Sequence, residues 1–375
     1  MTFGFLKKKL LTLDRFLNRK DMIKDLCNSV KSYSEECSRE LPGEREWILK
    51  WQKFDGKVSP LAYRLYYNFI GENINILPCD VSRNYIEPVL NPGGTDGFYG
   101  DKNSLGLLLE KEDLPITLFR SMYYKYYDND YEPVLKDNFL NCFNGFDKLI
   151  VKSSKGLGGH SIKLFKRSGK KFFDDENNEM TLDYLESIYK TDFLIQECFI
   201  QNNFMSQFNN TSVNTIRVNT YRDVITGEIH FLGAIMRIGK HGSIVDNTSS
   251  GGVAIGIDTN GKLANLCIDD FGARTVCFNG IDFSKNSFEI PNYESIKNFS
   301  IKISKRFPHI SLFALDIAID IHDNPKIIEV NVNKFTEDFI QRTQGPVFGE
   351  YTDSLIDYCI SKKDNIKLKL GKDLC

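Results

Sequence analysis

From residue 149 onward the chain is a succession of short apolar runs broken by turn dipeptides, and this texture limits the possible folds more than any other feature. The runs lie at 149–152, 161–165, 193–200, 215–223, 228–238, 251–257, 312–321 and 326–331, most of them of strand length. Thr226-Gly227, Asn260-Gly261 and Asp323-Asn324-Pro325 supply the turns between them. Helical spacing appears at 182–189 and 293–306. Strands in hairpins with occasional helices predict an α+β, or mixed α/β, domain of largely antiparallel sheets.

The first 75 residues read differently, as charge-rich helices with loops, among them stretches at 44–53 and 62–69. Pro88, Pro92, Gly93, Gly94, Gly97 and Gly100 then break every period and mark a boundary. A short helical stretch at 105–109 follows, and a strand can begin at Leu114-Pro115-Ile116. The expected organisation is a mostly helical region over 1–85, a part with a glycine-rich loop over 86–200, and a C-terminal part over 201–375.

Composition excludes several classes. With 48 Lys and Arg against 50 Asp and Glu the chain is nearly neutral, so no nucleic-acid role is expected. The nine cysteines form no CxxC pair and read as reduced thiols of a cytoplasmic protein. The five histidines show no HExxH spacing. The longest apolar run, 310–321, contains Asp316 and Asp320 and cannot span a bilayer. At the start, Lys7, Lys8 and Lys9 precede an apolar run too short for a signal peptide, because Asp14 ends it. Phe3, Leu6, Leu10, Leu13, Phe16 and Leu17 recur at helical intervals. Such a basic amphipathic helix either packs on the protein, the commoner use, or touches the inner face of a membrane peripherally.

Three segments carry chemistry. Residues 149–152, ending in Lys152, run into Lys155, Gly156, Gly158 and Gly159 and then a second strand. Glycines let backbone N–H groups approach phosphate oxygens and the lysines add charge, although the order is not that of a P-loop and a plain glycine hairpin has the same look. Period two places Asp316 on the face opposite Phe313, Leu315, Ile317 and Ile319, and the turn at 322–325 brings it beside Glu329 and Asn331. Three oxygen donors in an apolar hairpin suit Mg2+; an outward, solvated face is the alternative. Between these segments, Gln196 and Glu197 sit in an apolar strand. A lone carboxylate there is commonly a solvated residue or half of an ion pair.

The order of these pieces resembles the ATP-grasp superfamily. Asp101-Lys102-Asn103, residues 212–217 ending in Arg217, Asp246-Asn247 with Gly251-Gly252, and Glu329-Val330-Asn331 are similar to the sugar-transfer-associated ATP-grasp proteins of bacterial polysaccharide biosynthesis. The resemblance covers roughly 60–350 and implies an ATP-grasp fold, two α+β subdomains sandwiching the nucleotide. It implies ATP phosphates held by Lys102 and Lys152 under the glycine loop, with adenine and ribose at Gln196, Glu197, Phe199 and Ile200. Mg2+ would be ligated by Asp316, Glu329 and Asn331. It further implies phosphorylation of a carboxylate, small or glycan-linked, and attack by an amine, with Arg217 and Arg237 as candidates to hold the carboxylate or oxyanion. Several such ligases carry Arg two residues before the metal-binding Asp, where this chain has Ala314. Another basic residue must substitute, or the enzyme is a kinase acting on a sugar hydroxyl; a non-catalytic nucleotide-binding module is the third reading.

Overall fold

The computed structural model describes residues 3–30, 33, 35–91, 93, 96–155, 162–333 and 335–366. The glycine loop, with Gly156, Gly158 and Gly159, lies outside the described residues.

Two antiparallel sheets form the scaffold. The first is built from β1 (Thr117–Met122), β2 (Lys125–Tyr127), β3 (Lys148–Ser153), β4 (Lys163–Ser168), β5 (Lys171–Phe173) and β6 (Asp192–Glu197), in the order β2-β1-β6-β3-β4-β5. The second contains β7 (Thr215–Arg222), β8 (Ile229–Ile238), β9 (Val253–Ile257), β10 (Leu263–Ile268) and β11 (Arg274–Thr275). A separate ribbon pairs β12 (Cys277–Phe278) with β13 (Ile281–Asp282). The hairpin β14 (Leu312–Ile319) and β15 (Pro325–Asn331) completes the second sheet, whose order is β11-β10-β9-β8-β7-β14-β15. The chain passes from one sheet to the other between Glu197 and Thr215.

Each sheet rests on its own core. Behind the first sheet, Phe119, Phe143, Phe165, Phe172 and Phe193 pack with Leu185 and Tyr189 of the helix Leu182–Tyr189. Thr181 caps that helix by accepting from Tyr184 N at 3.1 Å, satisfying one of the donors a helix start leaves open. Behind the second sheet, Ile216, Val218, Met236, Phe313, Leu315 and Ile317 meet Ile296, Phe299 and Ile303 of the helix Tyr293–Lys305.

The front of the second sheet is divided. At one end Tyr221, Ile235, Ala254 and Leu312 are covered by Trp47, Trp51, Tyr63, Tyr66 and Tyr85 from the N-terminal helices, together with Leu355 and Ile356 of the helix Thr352–Lys362. At the other end the same face turns Thr215, Arg237 and Asp316 toward a cleft between the sheets, with Arg217 beside Asp316. Coverage on both faces explains why all eight residues of β14 are buried. The helical N-terminal region is therefore a layer of the second sheet, with Trp47 Nε1 donating to Ile76 O at 2.7 Å and Trp51 Nε1 to Ile74 O at 3.1 Å to seat it.

Lys7, Lys8 and Lys9 belong to the helix Phe3–Val30, where Met22 and Leu26 are buried and Leu13, Phe16 and Leu17 are exposed. Among the described residues no helix is long and apolar enough to cross a membrane. The eight described cysteines are unpaired.

Candidate active site

A cleft of about 520 Å³ separates the two sheets, a size that suits a nucleotide. Alternation along β3 sends Lys148, Ile150 and Lys152 into it, while Leu149 and Val151 enter the phenylalanine core. Leu164 of β4 and Ile328 of β15 add apolar walls. Gln196, Glu197, Phe199 and Ile200 line the end where the chain leaves the first sheet. Gln196 Nε2 donates to Thr117 Oγ1 at 2.9 Å, and Glu197 Oε1 accepts from Ile116 N at 3.2 Å, so both side chains are pinned to the neighbouring segment. Ile200 is 67% exposed at the rim.

At the opposite end the positive groups gather. Lys152 is buried, and burial together with the nearby Lys102 pulls its pKa down to about 7, against the opposing pull of Glu329. Lys102 N donates to Ser154 O at 2.9 Å, which ties the segment after the Pro/Gly passage to the end of β3. Lys102 Nζ bonds Glu329 Oε1 across the cleft at 2.8 Å. Lys155 is half-exposed outside the cleft, with Asp192 at 3.5 Å and Asp101 at 3.7 Å.

The second sheet supplies the carboxylates. In the β14–β15 hairpin Asp316 stands opposite Glu329 and Ala314 opposite Asn331. The register shifts between Asp316 and Ile317, which leaves Ile328 as an extra residue on β15. Because of that bulge Ile328 and Glu329, neighbours in sequence, both line the cleft. Asn331 Nδ2 donates to Ala314 O at 3.1 Å, and Asn331 lies beside the cleft without lining it.

Asp316 is the hub of a buried ionic network. Arg217, its cross-strand partner on β7, donates Nε and Nη2 to the two Asp316 oxygens at 2.7 and 2.8 Å. Arg237 Nη1 reaches Asp316 at 3.0 Å while its Nη2 bonds Asp246 at 2.8 Å and also contacts Asn247. Burial raises the pKa of Asp316, but the two guanidinium groups outweigh it and hold the carboxyl below its usual range. Burial likewise opposes the charge on Arg217, and Asp316 more than compensates, so its pKa rises. Asp246 is pushed up by burial, which Arg237 only partly offsets; it accepts from Thr215 N at 3.1 Å and from the Thr215 hydroxyl.

The cleft thus unites Lys102, Lys152, Gln196, Glu197, Phe199, Ile200, Arg237, Asp316 and Glu329. Arg217 stands behind Asp316 and does not line the cleft, so its place is that of a support for the carboxylate. Sequence reading passed over Lys148, although its period-two relation to Lys152 was available. It also gave no role to Thr215 and Asp246, which complete the Arg237 network through contacts between separated segments.

Among the described residues no group of three or more His, Cys, Asp or Glu gathers as a metal cage. Asp316 and Glu329 line the cleft with Asn331 beside it, and carboxylate and carboxamide oxygens are the kind of donors that Mg2+ takes.

Two sheets closing on a cleft with lysines on one wall and carboxylates on the other define an α+β sandwich with a charged cleft at its centre. The chain belongs to the sugar-transfer-associated ATP-grasp family, whose model matches residues 82–347 and so spans every residue of the cleft. Among solved structures it is similar to the ATP-grasp ligase PsnB in complex with a precursor variant, Mg and ADP, at 13% identity and TM-score 0.39, over 72% of this chain and 61% of that one. D-alanine–D-alanine ligase from Bacillus anthracis matches at 14% identity and TM-score 0.37, over 72% and 70%. N5-carboxyaminoimidazole synthetase from Staphylococcus aureus matches at 11% and 0.38, over 68% and 51%. Among curated proteins none matches the chain.

Proposed function

We propose that the protein is an ATP- and Mg2+-dependent, ADP-forming carboxylate–amine ligase of surface-polysaccharide biosynthesis, joining an amine or amino acid to a carboxylated sugar in the cytoplasm. The observation that carries this reading is the opposition of Lys102 and Lys152 to Asp316 and Glu329 across one cleft, with Arg237 lining it beside Asp316. Lys152 and Lys102 would hold the phosphates, and the apolar walls from Ile150, Leu164 and Ile328 would take the adenine ring. Asp316, Glu329 and Asn331 would hold Mg2+, which supplies neutralisation of phosphate charge when bound. Positioning and charge stabilisation then account for the chemistry, with no nucleophile from the protein.

Ala314 leaves open which cation handles the acceptor carboxylate. Arg217 and Arg237 both reach Asp316 from neighbouring strands, and this supports their standing in for an arginine two residues before it. Arg237 is the one that also lines the cleft, so it is assigned the developing acyl-phosphate oxygen. With a working substrate pair, hydroxylamine is expected to trap a hydroxamate when the amine is omitted. Arg237→Met is expected to cut its yield about a hundredfold, the scale for loss of one oxyanion donor. A stable phosphorylated sugar hydroxyl, with no hydroxamate, would replace the ligase reading with a kinase.

A further inference from the structure

Arg120 on β1 is 2% exposed and makes no direct ion pair among the described residues, the carboxylates of Asp101 and Asp128 acting on it only from farther away. Its Nη1 reaches only the carbonyl of Asn103, at 3.4 Å, and its guanidinium lies 4.6 Å from the ring centre of Tyr131. Burial lowers its pKa, and the longer-range pull of Tyr131, Asp101 and Asp128 offsets that only in part. Arg120 Nε has no hydrogen-bond partner, and neither do Asn103 Oδ1 and Ser154 Oγ, two further buried atoms on the segments that flank it. A native structure rarely leaves buried polar atoms unsatisfied, and an unpaired buried charge is more costly still.

Its placement gives that cost a use. Arg120 pairs with Leu194 on β6, and Leu194 pairs with Lys152 on β3, so Arg120 and Lys152 stand in one row on one face of the first sheet. At about 4.8 Å between strands the two lie roughly 10 Å apart at the backbone. Over Arg120 folds the segment that carries Lys102: a Cβ on Gly106 would stand 3.0 Å from Arg120 Nη2 and 2.8 Å from the Tyr131 hydroxyl. The Tyr131 hydroxyl donates to Asn103 O at 2.6 Å and closes the same segment. Lys102 and Lys152 therefore line one end of the cleft, and Arg120 stands outside the lining, two strands from Lys152 on the same sheet face.

We propose that Arg120 is a positioning residue for the polyphosphate of the nucleotide: it braces the Lys102 segment and contributes a buried positive charge that is compensated when phosphates enter. This rests on the nucleotide-binding reading above and extends it to a residue outside the cleft lining. No bond is made or broken by Arg120.

The test compares ATP and adenosine binding by calorimetry, and thermal melting without ligand, for the full chain and for Arg120→Met and Arg120→Lys. Arg120→Met is expected to weaken ATP about tenfold, to leave adenosine unchanged, and to melt no lower than the unaltered protein, because an unpaired buried charge has been removed. Arg120→Lys is expected to recover most of the ATP affinity. Unchanged ATP affinity in Arg120→Met overturns the proposal. So does a variant that fails to fold or that loses ATP and adenosine affinity alike, since either outcome makes Arg120 a structural residue. Absence of ATP binding by the unaltered chain would instead remove the nucleotide reading itself.

Discussion

Asp316 and Glu329 face each other across one hairpin but sit in unlike surroundings. Asp316 is 3% exposed and answers two guanidinium groups, whereas the Glu329 side chain is 20% exposed and pairs with Lys102. Removing one partner of a buried network costs about 3–5 kcal/mol, while a single pair at the cleft surface, its side chains 9% and 20% exposed, costs less to break because water reaches the group left behind. Asp316→Asn should therefore lower urea stability by several kcal/mol as well as abolish ADP release, and Glu329→Gln should abolish ADP release with stability nearly intact. Equal stability losses would show that the Asp316 network is not what holds that wall.

Lys152 gives a pH signature. Its folded pKa of about 7 lies below the roughly 10.4 of an unfolded lysine, so between these values the folded state binds fewer protons than the unfolded one. This group therefore makes ligand-free stability rise with pH across that window. Phosphates entering the cleft favour the ammonium form, so ATP binding at pH 8 should take up a proton. Calorimetry in buffers of different ionisation enthalpy should show that uptake, and Lys152→Ala should lose it together with about tenfold or more in affinity. The acceptor face of the hairpin was readable from period two at Asp316 and Glu329; Asp246 and Arg120 were not, because their partners come from distant segments.

Among elements, two hairpins, one in each sheet, show how local geometry departs from pattern. The β14–β15 turn was legible from Asp323-Asn324-Pro325, and Asp323 takes the left-handed conformation at φ 63°. The bulge at Ile328 was not legible, since a register shift depends on what both strands pack against. Of the β1–β2 hairpin only the start of its first strand, near 114–116, is readable: Met122 pairs with Lys125, and Tyr123 and Tyr124 form the connection at φ 53° and 60°. Two-residue turns of this hand favour Asn-Gly, and each L-residue held there costs about 1–2 kcal/mol. Replacing Tyr123-Tyr124 by Asn-Gly should thus raise stability by about 1–2 kcal/mol in denaturant titration. No gain would mean that the exposed tyrosine rings, 75% and 58% accessible, contribute packing that the turn alone does not reveal.

At the scale of the whole molecule, the N-terminal helices and the catalytic wall share one sheet face. Trp47 and Trp51 are fully buried in the core that also contains Tyr221, Ile235 and Leu312 of the second sheet. Trp47→Ala should cost about 3–5 kcal/mol, measured by urea unfolding, although Trp47 does not line the cleft. ATP affinity of the folded fraction should be unchanged. A loss below about 1 kcal/mol would show the helical layer to be an independent appendage.

The antiparallel α+β class, the hairpin that carries Asp316 and Glu329, and the lysine strand are all readable in the amino-acid order. Each follows from period-two alternation and turn residues within a few positions, where backbone geometry leaves little choice. Packing between distant segments made the helical N-terminus a layer of the second sheet, set Asp316 between Arg217 and Arg237, and buried Arg120 in the row of Lys152 without a direct ion pair. Those outcomes depend on which surfaces meet and on how deeply charges are desolvated when they do, quantities set by packing between segments as far apart as residues 47 and 312.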